Sequence, residues 1–143
     1  MGILGLDYGD KTIGVAKSDA LGWTAQGLEI IRRDNAEAFK KPMRRLAELV
    51  EENSVDTIVL GYPKNLDNTE GERCVKTKDF AERIERRFPK MQVILWDERF
   101  STIAAEGAMR AAGLGHDKRK SLIDKMAAVH ILQGYLDKLN REK

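Results

Sequence analysis

The sequence predicts an α/β fold, one mixed five-stranded sheet flanked by helices. Short apolar runs with period-two alternation crowd into residues 3–32, as in a meander of strands. Beyond them, segments of helical period alternate with two further short apolar runs, the pattern of crossover connections. The length of 143 residues suits a single domain over 1–143, able to close around one core without a second domain.

Each element has a local reason. Ile3 to Tyr8 alternates, Gly9-Asp10-Lys11 turns the chain, and Thr12 to Lys17 alternates again, which together predict a β-hairpin. A third strand is expected near Gly27 to Arg32. Phe39, Met43, Leu46 and Val50 then recur at helical spacing, with Pro42 tolerable only near the helix start. Asp56 to Gly61 is a short apolar run of the kind a buried central strand shows, closed by Gly61-Tyr62-Pro63. A polar, turn-rich loop from Lys64 to Gly71 leads to a second amphipathic helix, marked by Cys74, Thr77, Ala81, Ile84 and Phe88 and stopped by Pro89. Gln92 to Trp96 is the last strand. Ser101 caps an Ala-rich helix that closes at Gly113, and a final long helix runs from about Ser121 to Leu139.

Composition narrows the class. Hydrophobic residues make 42% of the chain and charged residues 34%, a globular balance that excludes a wholly disordered protein. The longest apolar runs are too short to span a membrane, and an acid at position 7 comes too early for a signal peptide, so a cytoplasmic protein is expected. Cys74 is the single cysteine, which leaves no internal disulfide and no zinc spacing; a buried helix position is expected for it. Net charge is only +2, yet from Arg110 to Lys143 eight Lys/Arg face four Asp/Glu. His116-Asp117-Lys118-Arg119-Lys120 concentrates that charge just ahead of the last helix, where it suits phosphates as well as it suits a solvated helix start.

Three acids stand where a fold has little structural use for them. Asp7 shares a strand face with Ile3 and Gly5, so its carboxylate takes a place a core side chain would fill, at a cost unless cations or hydrogen bonds compensate. Asp97 and Glu98 close the last strand on opposite faces, so only one of them joins Asp7. Asp124 is followed at i+3, i+4 and i+7 by Ala127, Ala128 and Ile131, and the small alanines let this helix lie close on the sheet. Three carboxylates within roughly 5 Å repel one another by several kcal/mol at an intermediate effective dielectric. Divalent cations remove that conflict, and an all-oxygen donor set favours Mg²⁺ or Mn²⁺, two of which suit phosphodiester hydrolysis.

Other signals carry less. Gly9 and Gly14 have the glycine spacing of a P-loop, but Val15-Ala16 stand where Lys and Ser/Thr are needed. His116 and His130 have no nucleophile partner, and a half-buried packing role is expected for His130. Trp23 and Trp96 are expected in the core or on a sheet face. Lys64, Asn65, Thr69 and Glu70 surround a strand-end loop, a usual place for function in α/β folds and equally a plain solvated loop.

At these residues the chain resembles the YqgF/RuvX-type RNase H-like nucleases, described both as Holliday junction resolvases and as pre-16S rRNA processing nucleases. The resemblance runs from about Gly2 to Leu139. It rests on Leu6-Asp7-Tyr8-Gly9, Thr12-Ile13-Gly14-Val15-Ala16, Val59-Leu60-Gly61-Tyr62-Pro63 with Glu70-Gly71, Asp97-Glu98-Arg99-Phe100-Ser101-Thr102, and Asp124-Lys125-Met126-Ala127-Ala128. It implies an RNase H-like fold, an acidic site with divalent metal, and work in ribosomal RNA maturation or in recombination and repair. The family's first-strand acid falls on Asp7, its Asp-Glu-Arg acid on Glu98 and its last-helix acid on Asp124. RNase H-like resolvases usually carry an acid at the end of the fourth strand, where this chain has Gly61-Tyr62-Pro63. Glu98 then substitutes from the neighbouring strand, with Asp67 a lesser candidate.

The expected activity is hydrolysis of RNA or branched DNA, with Asp7, Glu98 and Asp124 holding metal and water as nucleophile. Lys11, Lys64, Asn65, Arg99, Lys118, Arg119 and Lys120 are the expected contacts to nucleic acid. Pre-rRNA, ribosomal particles and branched DNA are the expected partners. Two other classes stay open: a noncatalytic nucleic-acid-binding or ribosome-assembly factor, and the first phosphate loop of actin-like ATPases and sugar kinases, which Leu6-Asp7-Tyr8-Gly9 with Gly14-Val15-Ala16 also resembles. Those ATPases need two such domains to enclose a nucleotide, and this chain has length for one.

Overall fold

The computed structural model describes residues 2–35, 38–63, 70–97, 113 and 116–142, with side chains of the last helix described from 126 onward. Five strands, β1 (Gly2–Tyr8), β2 (Thr12–Ser18), β3 (Ala25–Arg32), β4 (Val55–Tyr62) and β5 (Gln92–Asp97), form one sheet in the order β3-β2-β1-β4-β5. The hairpin and the third strand pair antiparallel, whereas β4 and β5 add in parallel beside β1. The parallel half needs crossovers, which α1 (Lys40–Glu52) and α2 (Glu72–Arg87) supply. The final helix, α3 (His116–Arg141), covers the opposite face.

Strand alternation divides the core. Leu4, Leu6, Tyr8, Ile13, Val15, Ile58 and Leu60 point toward α1 and α2, where Leu46, Leu49, Phe80 and Ile84 meet them. Tyr8 stacks on Phe80 with ring centroids 4.2 Å apart. Ile3, Ala16, Val59 and Trp96 point the other way, onto Ala128, Ile131, Leu132 and Leu136 of α3. Pro42 sits in the first turn of α1, where its missing N–H costs no helix bond, and Cys74 is buried in α2, both as expected. Gly113 takes φ +75°, the left-handed conformation expected of it, while the Ala-rich helix before it lies outside the described residues.

Two expectations fail. The last helix begins at His116, not near Ser121, because Lys118, Arg119 and Lys120 are good helix formers and extend the first turns instead of preceding them. Trp23 is 60% exposed in the turn between β2 and β3. That turn is held through backbone groups instead: the Trp23 N–H donates to Asp19 Oδ1 at 2.9 Å, and Gln133 Nε2 donates to the Trp23 carbonyl at 3.0 Å. Trp96 is a sheet-face residue, meeting Tyr135 edge to face at 6.0 Å. No described helix is long and apolar enough to cross a membrane.

Candidate functional site

The site follows from one row across the sheet. Asp7 pairs with Gly14 of β2. Continuing the β1–β4 pairing one residue beyond Leu6 and Leu60 brings Gly61 beside Asp7, and Gly61 pairs with Trp96. Directly paired residues project to the same side, so Asp7, Gly14, Gly61 and Trp96 all face α3. Asp7 is therefore a half-buried carboxylate flanked on both sides by residues with no side chain. The two glycines were missed as site residues on physical grounds, since their meaning needs the pairing register.

The position of α3 fixes which end of that helix Asp7 addresses. Ile3 shares the wall of a cleft with Leu136, and Gly5 lies against Ala128 and Leu132. Moving along β1 from Ile3 through Gly5 to Asp7 thus moves backward along α3, and the next turn before Ala128 carries position 124. Ala127, Ala128 and Ile131 are buried as the helical stripe requires. Asp124 lies in helical backbone, within the part of α3 whose side chains are outside the described residues.

The last strand separates its two acids. Tyr62 pairs with Asp97, which puts Asp97 with Tyr8 and Tyr62 on the α2 side, away from Asp7. Glu98, expected from strand alternation on the face opposite Asp97, lies outside the described residues, as do Lys64, Asn65, Asp67 and Arg99. Lys11 is exposed in the β1–β2 turn, four residues beyond Asp7 in the chain. Lys118, Arg119 and Lys120 fall in the first turns of α3. Among the described residues, no three His, Cys, Asp or Glu side chains cluster closely enough to hold a metal ion.

The end of β1 is pinned from several sides. The Gly9 N–H donates to Thr12 O at 2.8 Å, Arg73 Nη2 donates to Tyr8 O at 2.9 Å, and the buried Arg33 guanidinium donates to Gly9 O and Ala38 O. Arg33 also lies 4.7 Å above the Tyr8 ring. Asp10 in the same turn is engaged by Arg73 at 3.9 Å and Lys76 at 3.5 Å, which turns it toward α2. These bonds hold the backbone immediately after Asp7 in place.

At the end of β4, the Tyr62 hydroxyl donates to Glu70 Oε1 at 2.7 Å, and Lys78 lies 3.6 Å from Glu70. Burial, and then the bond to Glu70, push the Tyr62 phenol up from its ordinary value; the bond to Tyr62 and the Glu70 charge raise Lys78. The cluster ties residue 70 back to the strand end. His130 is half-buried, as expected, with Nε2 enclosed and making no hydrogen bond among the described residues.

A family model described as "RuvX: Holliday junction resolvase" matches residues 1–138. A protein of Agathobacter rectalis named "Putative pre-16S rRNA nuclease" is 51% identical over 143 residues, covering 100% of this chain and 99% of that one. The Bacillus subtilis protein of the same name is 52% identical over 140 residues, covering 98% and 100%. The structure of Thermus thermophilus RuvC in complex with a Holliday junction substrate superposes with a TM-score of 0.56 at 16% identity, over 97% of this chain and 96% of that one. The fowlpox virus Holliday junction resolvase gives 0.56 at 16% identity, over 97% and 99%. At that identity the likeness concerns the fold, and it bears out the expected RNase H-like arrangement. A family model spanning nearly all of the sequence, together with full-length relatives identical at half their positions, shows that this chain belongs to the RuvX family.

Proposed function

We propose that residues 1–143 form a single RNase H-like nuclease domain that hydrolyses phosphodiester bonds in structured nucleic acid, with Asp7, Glu98 and Asp124 as its catalytic acids. The observation that supports this most is the placement of Asp7. It sits at the carboxyl ends of the parallel strands, on the α3 side, between Gly14 and the end of β4 at Gly61. Neither neighbouring position sets a side chain of its own beside the carboxylate, which supports its use toward ions and a phosphate. An all-carboxylate donor set fits Mg²⁺ or Mn²⁺. Two such ions, held by the three acids, would neutralise their mutual repulsion, activate water and offset charge on the leaving oxygen.

The chain's own contribution is placement. The bonds from Arg73 and Arg33 to the Tyr8 and Gly9 carbonyls hold the Asp7 backbone, and Lys11 on the adjoining turn offers a cation to the substrate backbone. Glu98, next in alternation after Trp96, replaces the acid that Gly61-Tyr62-Pro63 lacks. Lys118, Arg119 and Lys120, with Lys64, Asn65 and Arg99, complete the backbone contacts. The relatives' name favours pre-16S rRNA as the substrate, and we infer 5′-end processing on ribosomal particles in the cytoplasm. The family description and the likeness to RuvC favour a Holliday junction resolvase as the second reading.

One experiment tests both. Cleavage of a precursor 16S rRNA 5′ segment and of a four-way DNA junction is assayed with Mg²⁺, Mn²⁺ or EDTA, for wild type and Asp7→Asn. Metal-dependent cutting of one substrate, lost in the mutant, establishes the nuclease and selects its substrate. Binding without cutting of either identifies a noncatalytic factor and overturns the proposal.

A further inference from the structure

Six exposed cations gather on the surface between the start of α1 and the outer stripe of α2, beside the buried Arg33. Arg32, Lys40, Lys41 and Arg83 line a cleft of about 490 Å³ whose floor includes Phe39. A second depression of about 420 Å³, bordered by Met43, Arg86 and Arg87, shares Arg83 with it. Asp34 is the one acid among the described residues lining either.

Several other cations of this helical layer are paired, although Arg44 has no ion pair among the described residues. Arg45 is paired with Glu29 at 2.7 Å and lies near Glu48, Arg73 and Lys76 share Asp10, and Lys78 meets Glu70. None of the six has a carboxylate within ion-pair distance among the described residues. Asp79, Glu82 and Glu85 are exposed elsewhere on α2, but the lining of the two depressions is of nearly one sign, which raises the local potential for anions. Arg83 is also held in place: its guanidinium lies 3.8 Å from the Phe39 ring centroid, and Phe39 packs on Phe80. A planar, positioned guanidinium is well matched to phosphate oxygens.

The cleft lies on the α1 and α2 side of the sheet, opposite the side that Asp7 faces, and reaches that end of the molecule only through the turn after Asp7. Arg32 pairs with Thr12 across β2 and β3, and the Arg33 N–H donates to the Lys11 carbonyl at 2.8 Å, so its rim begins where the turn after Asp7 ends. We propose that this cleft is a second nucleic-acid contact, a track for the phosphate backbone of the substrate arm lying beyond the cleavage point. It rests on the nuclease reading for the identity of the substrate, while its own evidence is the uncompensated charge and its continuity with the turn. Regularly spaced phosphates meet several of these cations at once, and each contact releases condensed counterions.

Binding is measured on an Asp7→Asn background in EDTA, so that no cleavage intervenes, by fluorescence anisotropy with a labelled four-way DNA junction and a labelled 16S rRNA 5′ segment. The variants are Lys40→Gln/Lys41→Gln/Arg83→Gln and Arg86→Gln/Arg87→Gln, with Lys90→Gln/Lys138→Gln as a control for net charge. Circular dichroism verifies folding. Each cleft variant is expected to bind at least about tenfold more weakly, with the slope of log affinity against log salt reduced by roughly one unit per lost phosphate contact. The control keeps the parental affinity. Parental affinity and slope in folded cleft variants overturn the proposal, as does an equal loss in the control. A parent that binds neither probe overturns it too and leaves the cleft for an acidic protein. Cleft-dependent binding in a protein that never cleaves sustains the track while rejecting the nuclease.

Discussion

Gly5 of β1 lies against α3 so closely that a Cβ placed on it would stand 3.0 Å from the Ala128 carbonyl oxygen and 2.6 Å from Leu132 Cβ. The contact sets the depth of the last helix on the sheet. It also sets the approach of position 124 to Asp7, since both lie one step further toward the same end. A single methyl group between strand and helix therefore bears on stability and on chemistry together.

Gly5→Ala is expected to destabilise the fold by about 2 kcal/mol, in the range of core overpacking, because backbone atoms of α3 have to give way. The displaced helix carries Asp124 with it. Cleavage at a temperature where the mutant is fully folded should fall well below wild type. Urea unfolding gives the first quantity and single-turnover kinetics the second. A mutant with lowered stability and unchanged turnover would separate helix depth from the catalytic arrangement.

Asp97 and Glu98 are neighbours in sequence with opposite expected fates. The Tyr62 to Asp97 pairing places Asp97 on the α2 side, with Tyr8, away from Asp7. Asp97→Asn should keep metal-dependent cleavage within about threefold of wild type, whereas Glu98→Gln should reduce it by more than about 100-fold. Parallel kinetics of the two mutants decide the matter. Equal losses would place the acid on both faces, which an extended β5 does not allow.

How far the sequence disclosed this arrangement depends on the range of the interaction concerned. The hairpin was legible because Gly9-Asp10-Lys11 breaks two alternating runs, and alternation already put Asp97 and Glu98 on different faces. Which face belonged to Asp7 required the pairing of β1, β4 and β5, which no local pattern encodes. Gly14 and Gly61 acquired meaning the same way. The start of α3 was misjudged because a run of Lys and Arg marks a charged surface without saying whether it is helical. Trp23 was misjudged because side-chain type is a weak guide to burial in a turn held by its backbone. The cations of the α1 and α2 cleft form no sequence pattern, because positions 32, 40, 41, 83, 86 and 87 are scattered along the chain.

Arg33 offers a test of how the turn after Asp7 is held. It is 6% exposed, and its guanidinium binds the Gly9 and Ala38 carbonyls while lying over Tyr8 and 5.1 Å from the Phe39 centroid. Arg33→Met keeps much of the apolar stem and removes the donors. The expected cost is about 2 kcal/mol, as for hydrogen bonds made by a charged group to half-buried carbonyls. Amide exchange in the Gly9 to Lys11 turn should accelerate more than exchange in α3. Uniform acceleration would mean that Arg33 supports the whole fold and not this turn.

The Glu29–Arg45 pair predicts how stability responds to acid. Arg45 reaches Glu29 with two nitrogens at 2.7 Å, joining β3 to α1, and that hydrogen bonding holds the Glu29 carboxyl below its ordinary value of 4.5. A carboxyl depressed in the folded state contributes stability that is fully present above its unfolded value and lost as pH falls through the folded one. Glu29→Gln should therefore melt below wild type at neutral pH, with a constant gap down to about pH 4.5 that narrows under further acidification. The gap will be modest, since both side chains are partly exposed and salt screens them. Thermal melts of the two proteins across pH 3 to 7 measure it, and a gap that persisted unchanged to the acid limit would show that the glutamate acts through packing and not through its charge.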